Sequence, residues 1–285
     1  MNNKIQLVEC PRDAMQGWKK QIPTEQKIEY INALLKVGFD TIDFGSFVSP
    51  KAIPQMADTK QVIGQLDLSN RESKLLAIIA NVRGAKESVD YNKISLLGYP
   101  FSVSPTFQLR NTNSTIDASF ESVQEIQEIC VKNNKQLVVY ISMGFGNPYG
   151  DNYHEEIVME WVKKISALGI TIISIADTVG LASPFQVSSL VKKVIDENIG
   201  LEIGVHLHST AINWKQKIDA ALTAGCKRFD GALKGIGGCP MASDELVGNM
   251  DTELMIPYFQ KKDILPPLDK VALAEALIIA NKIFK

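Results

Sequence analysis

The stretch Leu201-Glu202-Ile203-Gly204-Val205-His206-Leu207-His208-Ser209 reads as a β-strand that ends in two histidines. Strand side chains alternate between faces, so His206 and His208 point one way while Val205 and Leu207 point the other. Two imidazoles held close together on a rigid strand can bind a divalent cation. The same pair can also be satisfied by ordinary polar partners. The chain has three histidines, and this strand holds two of them. What they do depends on where the strand sits in the fold.

Upstream, short β-branched runs alternate with longer amphipathic stretches. Ile5 to Cys10 reads as strand one, and Pro11 to Pro23 as a turn region. Thr24 opens a helix carrying Ile28, Ile31, Leu34 and Leu35 at helical spacing, closed by Gly38. Strand two is Phe39 to Asp43, followed by a helix near Asp58 to Leu66. Leu75 to Ile79 is strand three, apolar throughout, as strands buried on both faces are. A short helix, Val82 to Val89, leads to strand four, Lys93 to Leu97. Gly98 to Asn113 reads as a polar connection in which Asn111 and Asn113 shape a loop. A long helix then runs to Asn133, Gln136 to Ser142 is strand five, and Ile170 to Ala176 is strand six. The intervening helix, Glu155 to Leu168, starts beside His154, a surface residue. Pro184 starts the helix before the histidine strand. Downstream come a helix from Ala211 to Ala224, an eighth strand from Arg228 to Ala232, and helices near Thr252 to Gln260 and Leu268 to Ile283. Strand followed by helix, eight times over, is the pattern of a (β/α)₈ TIM barrel, here with a C-terminal helical extension from about residue 250. Residues 1–285 read as one such domain. No Gly-x-Gly-x-x-Gly follows strand one, so nothing favours a doubly wound dinucleotide-binding sheet.

The composition is that of a globular protein. Of 285 residues, 45% are hydrophobic and 22% charged, and the formal net charge is −2. No basic excess argues for nucleic acid, and no apolar run approaches the ~20 residues that span a bilayer. The N-terminal residues show neither an apolar signal segment nor an Arg-rich transit peptide, so the expected location is cytoplasmic. Cys10, Cys130, Cys226 and Cys239 have no metal-ribbon spacing and read as reduced thiols. Three lie in or beside apolar segments. Cys239 lies in a glycine-rich loop.

A barrel gathers the carboxyl ends of its strands around one mouth, where active sites form. The polar residues at those ends make a coherent set: Arg12, Asp13 and Gln16 after strand one, Asp43 at strand two, Ser142 at strand five, and Asp177 at strand six. His206 and His208 close strand seven, and Gly237-Gly238-Cys239-Pro240 and Asn249 follow strand eight. Two imidazoles, a carboxylate and an amide oxygen suit a six-coordinate Mg²⁺ or Mn²⁺, and the cysteine shell of a structural zinc is absent.

Several motifs appear in the order found in one enzyme family. They are Val8-Glu9-Cys10-Pro11-Arg12-Asp13-Ala14-Met15-Gln16, Ser46-Phe47-Val48-Ser49-Pro50-Lys51, Ala176-Asp177-Thr178-Val179-Gly180, His206-Leu207-His208 and Gly237-Gly238-Cys239-Pro240. With these the chain resembles 3-hydroxy-3-methylglutaryl-CoA (HMG-CoA) lyase over nearly its whole length. The resemblance implies a metal-dependent barrel that splits HMG-CoA into acetyl-CoA and acetoacetate, an activity of leucine degradation and ketone-body metabolism. It implies Asp13, His206, His208 and Asn249 as metal ligands, Arg12 as the group that stabilises the developing enolate, and Cys239 as the catalytic cysteine of a loop. Asp43 and Asp177 take supporting catalytic roles, and Arg12, Gln16 and Ser142 contact substrate. An acyl-CoA substrate and a homodimer are implied in the same way.

The chain departs from that family's pattern in four places. Asp43 stands where the family usually has glutamate, and Ser209 where it has aspartate after the histidine motif. Asn147 replaces a second loop cysteine. The segment between Cys239 and Asn249 carries Asp244 and Glu245 and is less rich in glycine and alanine. Two other readings use the same barrel. One is a related lyase or a Claisen-type synthase, a class that usually carries a long regulatory region after the barrel. The other is a catalytically weak barrel that binds an acyl-CoA or a metal.

Overall fold

The structure, a computed structural model, describes residues 4–69, 72–238 and 247–285. Eight parallel strands close into a barrel in sequence order, with β8 pairing back to β1. The strands are β1 (Gln6–Glu9), β2 (Thr41–Ser46), β3 (Lys74–Ile78), β4 (Ile94–Ser102), β5 (Gln136–Ser142), β6 (Ile172–Asp177), β7 (Glu202–Leu207) and β8 (Arg228–Gly231). Among the described residues eleven helices surround them. They are α1 (Pro11–Gln16), α2 (Thr24–Val37), α3 (Thr59–Gln65), α4 (Val82–Ser88), α5 (Pro105–Thr112), α6 (Ile116–Lys132), α7 (Glu155–Ser166), α8 (Pro184–Glu197), α9 (Trp214–Thr223), α10 (Thr252–Lys261) and α11 (Lys270–Ile283).

Strand alternation divides the apolar residues into two layers. Leu76, Leu96, Val138, Tyr140 and Ile172 fill the barrel interior, with Ile78 against them. Their neighbours, such as Leu75, Leu97, Val139 and Ile173, face outward into the larger core beneath the helices. On β8 the outward residue is Phe229, packed 5.0 Å from Phe259 of α10. The C-terminal helix α11 lies beside α2. There Phe284 meets Trp18 and Tyr30 edge to face, at 5.3 and 6.1 Å.

Two segments differ from the sequence expectation. Gly98 to Asn113 is no irregular connection, because β4 runs on to Ser102 and α5 follows at once. Gly98 and Pro100 look like strand breakers. However, β3 pairs with β4 only as far as Gly98, so a residue without an N–H is harmless at Pro100. Ser104 caps α5 by accepting the Phe107 N–H, and Pro105 takes the first helical position. Pro11 likewise opens α1 inside the expected turn. His208 falls one residue beyond β7. Its backbone forms an antiparallel bridge with Asn249.

Glu9, at the end of β1, is fully buried and ties the barrel to the segment after β8. Its carboxyl accepts the Leu233 N–H at 2.8 Å and the Thr252 hydroxyl at 2.6 Å. Burial raises its pKa to about 8, and the two hydrogen bonds only partly oppose this. The folded pKa lies above the ordinary value of 4.5, so the native state holds a proton that the unfolded chain releases. That contribution to stability is complete below about 4.5 and is lost as pH rises through about 8. Glutamine keeps both partners without the charge. The Glu9→Gln variant is therefore expected to flatten the alkaline fall of Tm seen in the wild type, and parallel Tm–pH curves for the two proteins would contradict this.

Candidate active site

The cavity opens at the carboxyl ends of the strands, and most of the sequence-predicted residues line it: Arg12, Asp13, Gln16, Asp43, Ser142, His206 and His208. Arg12 and Asp13 stand in the first turn of α1. The helix starts at once after β1, so their side chains fall at the mouth. The Arg12 guanidinium grips Asp43 of β2. Nε lies 3.0 and 3.2 Å from its two oxygens, and Nη2 donates as well. Nη1 turns the other way and donates to Asp13 Oδ1 at 2.9 Å. One cation thus spans two buried carboxylates.

Among the described residues Asp13 has three donors. Oδ1 also accepts from Gln16 Nε2 at 2.7 Å, and Oδ2 from Asn249 Nδ2 at 2.6 Å. Burial alone would raise its pKa. The charges of Arg12, His206 and His208 and the Asn249 amide outweigh burial and hold it at about 2. For Asp43 burial prevails over the pull of Arg12, and its pKa rises to about 6. A carboxylate has about four lone-pair sites, so the three donors among the described residues leave Asp13 one site on Oδ2.

His206 and His208 have ring centroids 5.3 Å apart, on the same side as the alternation predicts. One ligand atom from each of Asp13, His206 and His208 lies within 4.8 Å of the others. His208 is 2% exposed, and neither ring nitrogen has a hydrogen-bond partner among the described residues. Burial, reinforced by His206, lowers its pKa to about 4, so the ring is neutral at physiological pH with a lone pair available. Buried polar atoms are seldom left unpaired. A neutral imidazole, an ionised carboxylate with one free site and a second imidazole form a donor set that fits a divalent cation.

Asn249 is brought in from the segment after β8. It bridges His208 through its backbone, and its amide nitrogen also donates to the Ile236 carbonyl at 2.9 Å. Gly237 has no Cβ because none fits. A Cβ there would collide with the Asn249 amide and lie 3.0 Å from Asp13 Oδ2.

Asp177, read as a supporting catalytic residue, is not among the residues that line the cavity. Oδ2 accepts from Lys217 Nζ at 2.6 Å and Oδ1 from the Ala182 N–H at 3.1 Å. Lys217 of α9 is 1% exposed and also donates to the backbone carbonyls of His208 and Gly180. The pair therefore anchors the residues that follow β6 and β7. Asn111, read as a loop residue, faces the cavity from the last turn of α5, whereas Asn113 is the left-handed cap of that helix. Asn147 shapes the loop after β5, accepting the Tyr149 and Asp151 N–H groups. Cys239, Asp244 and Glu245 lie outside the described residues. Cys10, Cys130 and Cys226 are buried free thiols, as expected, and the His154 side chain is half exposed.

Thr178, at the end of strand six, lines the cavity, whereas sequence reasoning missed Tyr140, which also lines it, and Lys217 and Asp230, which support it. Tyr140 was within reach, since it precedes Ser142 by two on β5 and shares its face. Opposite the histidines the wall is largely apolar, with Ser46 and Asn111 as its polar members. Its apolar part is built from Val48, Ala52 and Ile53 after β2, Ala80 after β3, and Phe107 of α5.

A closed barrel whose cavity gathers carboxylates, imidazoles and an arginine at the carboxyl ends of its strands defines a (β/α)₈ barrel enzyme. Residues 4–278 match the HMGL-like family model, and the chain belongs to that family. It is 31% identical over 255 residues to the cytoplasmic 3-hydroxy-3-methylglutaryl-CoA lyase of Rattus norvegicus, covering 88% of this chain and 73% of that one. To the hydroxymethylglutaryl-CoA lyase of Bacillus subtilis it is 30% identical, covering 89% and 84%. The HMG-CoA lyase structure from Acinetobacter baumannii, solved in complex with coenzyme A and 3-methylmalate, superposes with a TM-score of 0.92 at 32% identity. The match covers 100% of this chain and 92% of that one.

Proposed function

We propose that this chain is an HMG-CoA lyase that requires Mg²⁺ or Mn²⁺. The observation that carries the reading is the cluster of Asp13, His206 and His208 within 4.8 Å, beside the Arg12 guanidinium and inside one cavity. Asp13, His206 and His208, with the amide oxygen of Asn249, would hold the ion. When bound, the ion polarises the substrate oxygens and lowers the pKa of the tertiary alcohol.

The reaction is a retro-Claisen cleavage. The hydroxyl passes its proton to a base, a role assigned to the Asp43 carboxylate that lines the cavity, and becomes a ketone as the bond to the thioester's α-carbon breaks. That bond's electron pair passes into the thioester as an enolate, and a proton must then reach the α-carbon. Arg12 supplies a fixed positive charge for the enolate oxygen, and its preorganisation by Asp43 means little rearrangement is needed as charge develops. Gln16 and Ser142 offer polar contacts to the substrate's acyl oxygens. Cys239 is assigned as the donor or relay of the final proton. Asp177 acts at a distance, through Lys217 and the His208 carbonyl that Lys217 holds.

The lyase names of the relatives favour this reading over a synthase or a non-catalytic barrel. A homodimer and a place in leucine degradation and ketone-body formation rest on the family resemblance, and a cytoplasmic location rests on the sequence. No helix among the described residues is long and apolar enough to cross a membrane. The deciding assay is acetoacetate release from HMG-CoA with added Mg²⁺ or Mn²⁺. Release that depends on the ion is the expected result, and a metal-loaded protein that leaves the thioester intact would refute the assignment.

A further inference from the structure

Beneath the cavity lies a second group of polar side chains that the reaction above leaves unused. Arg228 and Asp230 alternate with Phe229 on β8 and so point into the barrel, under His206 of β7. Asp230 Oδ2 lies 3.2 Å from His206 Nδ1. The Arg228 stem runs along β7 at Gly204, where a Cβ would sit 2.9 Å from Arg228 Cδ. Its Nη1 bonds Glu202 at 2.9 Å, at the amino end of β7. Arg228 Nε and Nη2, Asp230 Oδ1, Tyr140 Oη and Ser174 Oγ are buried with no hydrogen-bond partner among the described residues. The Tyr140 ring meets His206 edge on at 5.8 Å and lines the cavity, so it separates the two compartments.

A carboxylate this deep in a barrel is costly unless something holds it there. Burial works against the charge on Arg228, and Asp230 is the foremost of the groups that restore it. We propose that Asp230 is the positioning residue of the candidate cation centre. It accepts the Nδ1 proton of His206, fixes the neutral ring as the Nδ1–H tautomer and leaves Nε2 to face Asp13 and His208, with Arg228 as its countercharge. Cys10, His206 and Asp230 also place ligand-capable atoms within 4.8 Å of one another. That trio draws on the same His206, whose Nδ1 lies 3.2 Å from Asp230 Oδ2, so Asp230 already takes that nitrogen.

The role rests on reading Asp13, His206 and His208 as a cation site, and two measurements separate the two claims. In the metal-free wild type at alkaline pH, two-bond ¹H–¹⁵N spectra are expected to show His206 as the Nδ1–H tautomer. The chain has three histidines to assign. In Asp230→Asn, which keeps the shape and removes the charge, Mn²⁺ affinity measured by calorimetry is expected to fall roughly 10- to 100-fold. A role in folding alone would leave Mn²⁺ affinity unmoved. An Nε2–H ring in the wild type, or unchanged Mn²⁺ affinity in a folded Asp230→Asn, would overturn the proposal. A wild type that binds no Mn²⁺ would overturn the cation reading, and the tautomer would still report on the Asp230–His206 pair.

Discussion

The His208→Ala variant is expected to bind Mg²⁺ or Mn²⁺ too weakly for function and to lose acetoacetate release by roughly a thousandfold or more. That figure follows if the ion supplies several kcal/mol at ~1.4 kcal/mol per factor of ten. The apo fold should hardly notice the change. Neither ring nitrogen of His208 bonds another described residue, so the substitution deletes no hydrogen bond there. What remains is a small packing loss, within the ~0.5–3 kcal/mol of ordinary point mutations. Calorimetry with Mn²⁺, turnover and Tm in the absence of metal make the complete test. Activity near that of the wild type would show that His208 is no ligand.

Arg12→Lys is the second large effect. Lysine keeps the charge and some of the length, but an ammonium cannot fork onto Asp43 while also reaching Asp13 as the guanidinium does. Loss of one fixed donor at a developing oxyanion costs about 10²–10³ in kcat, and that is the expected fall. KM should change less, because the contact matters most as charge builds. Metal affinity should change less than kcat, because lysine keeps a positive charge beside Asp13. A kcat equal to that of the wild type would remove Arg12 from the chemistry.

How far the sequence carried this picture depended on the range of the interactions. Periodicity acts within one element, and there it served well. Gln136–Ser142 is β5 as read, and His206 and His208 share a face. It failed where the barrel overrules local signals, as at Gly98 and Pro100, which sit inside β4 once pairing with β3 has ended. Asp177 reads as a mouth residue because it ends β6. Its partner Lys217 lies 40 residues later on a helix where a lysine looks solvent-facing, and only the closed fold buries the two together. The same holds for Asp230. Nothing in Arg228-Phe229-Asp230 shows that His206 stands over the carboxylate until β7 and β8 are side by side.

The division of the cavity has one more consequence. Imidazoles and carboxylates stand on one side, Arg12 reaches out from α1, and the opposite wall of Val48, Ala52, Ile53 and Phe107 is largely apolar. The tertiary carbon of HMG-CoA bears four different groups. A hydroxyl directed to the polar side, a thioester arm directed to Arg12 and a methyl directed to the apolar wall leave only one direction for the carboxymethyl group. The cavity is therefore handed, and the mirror-image thioester could match two of these surfaces only by presenting the wrong group to the third.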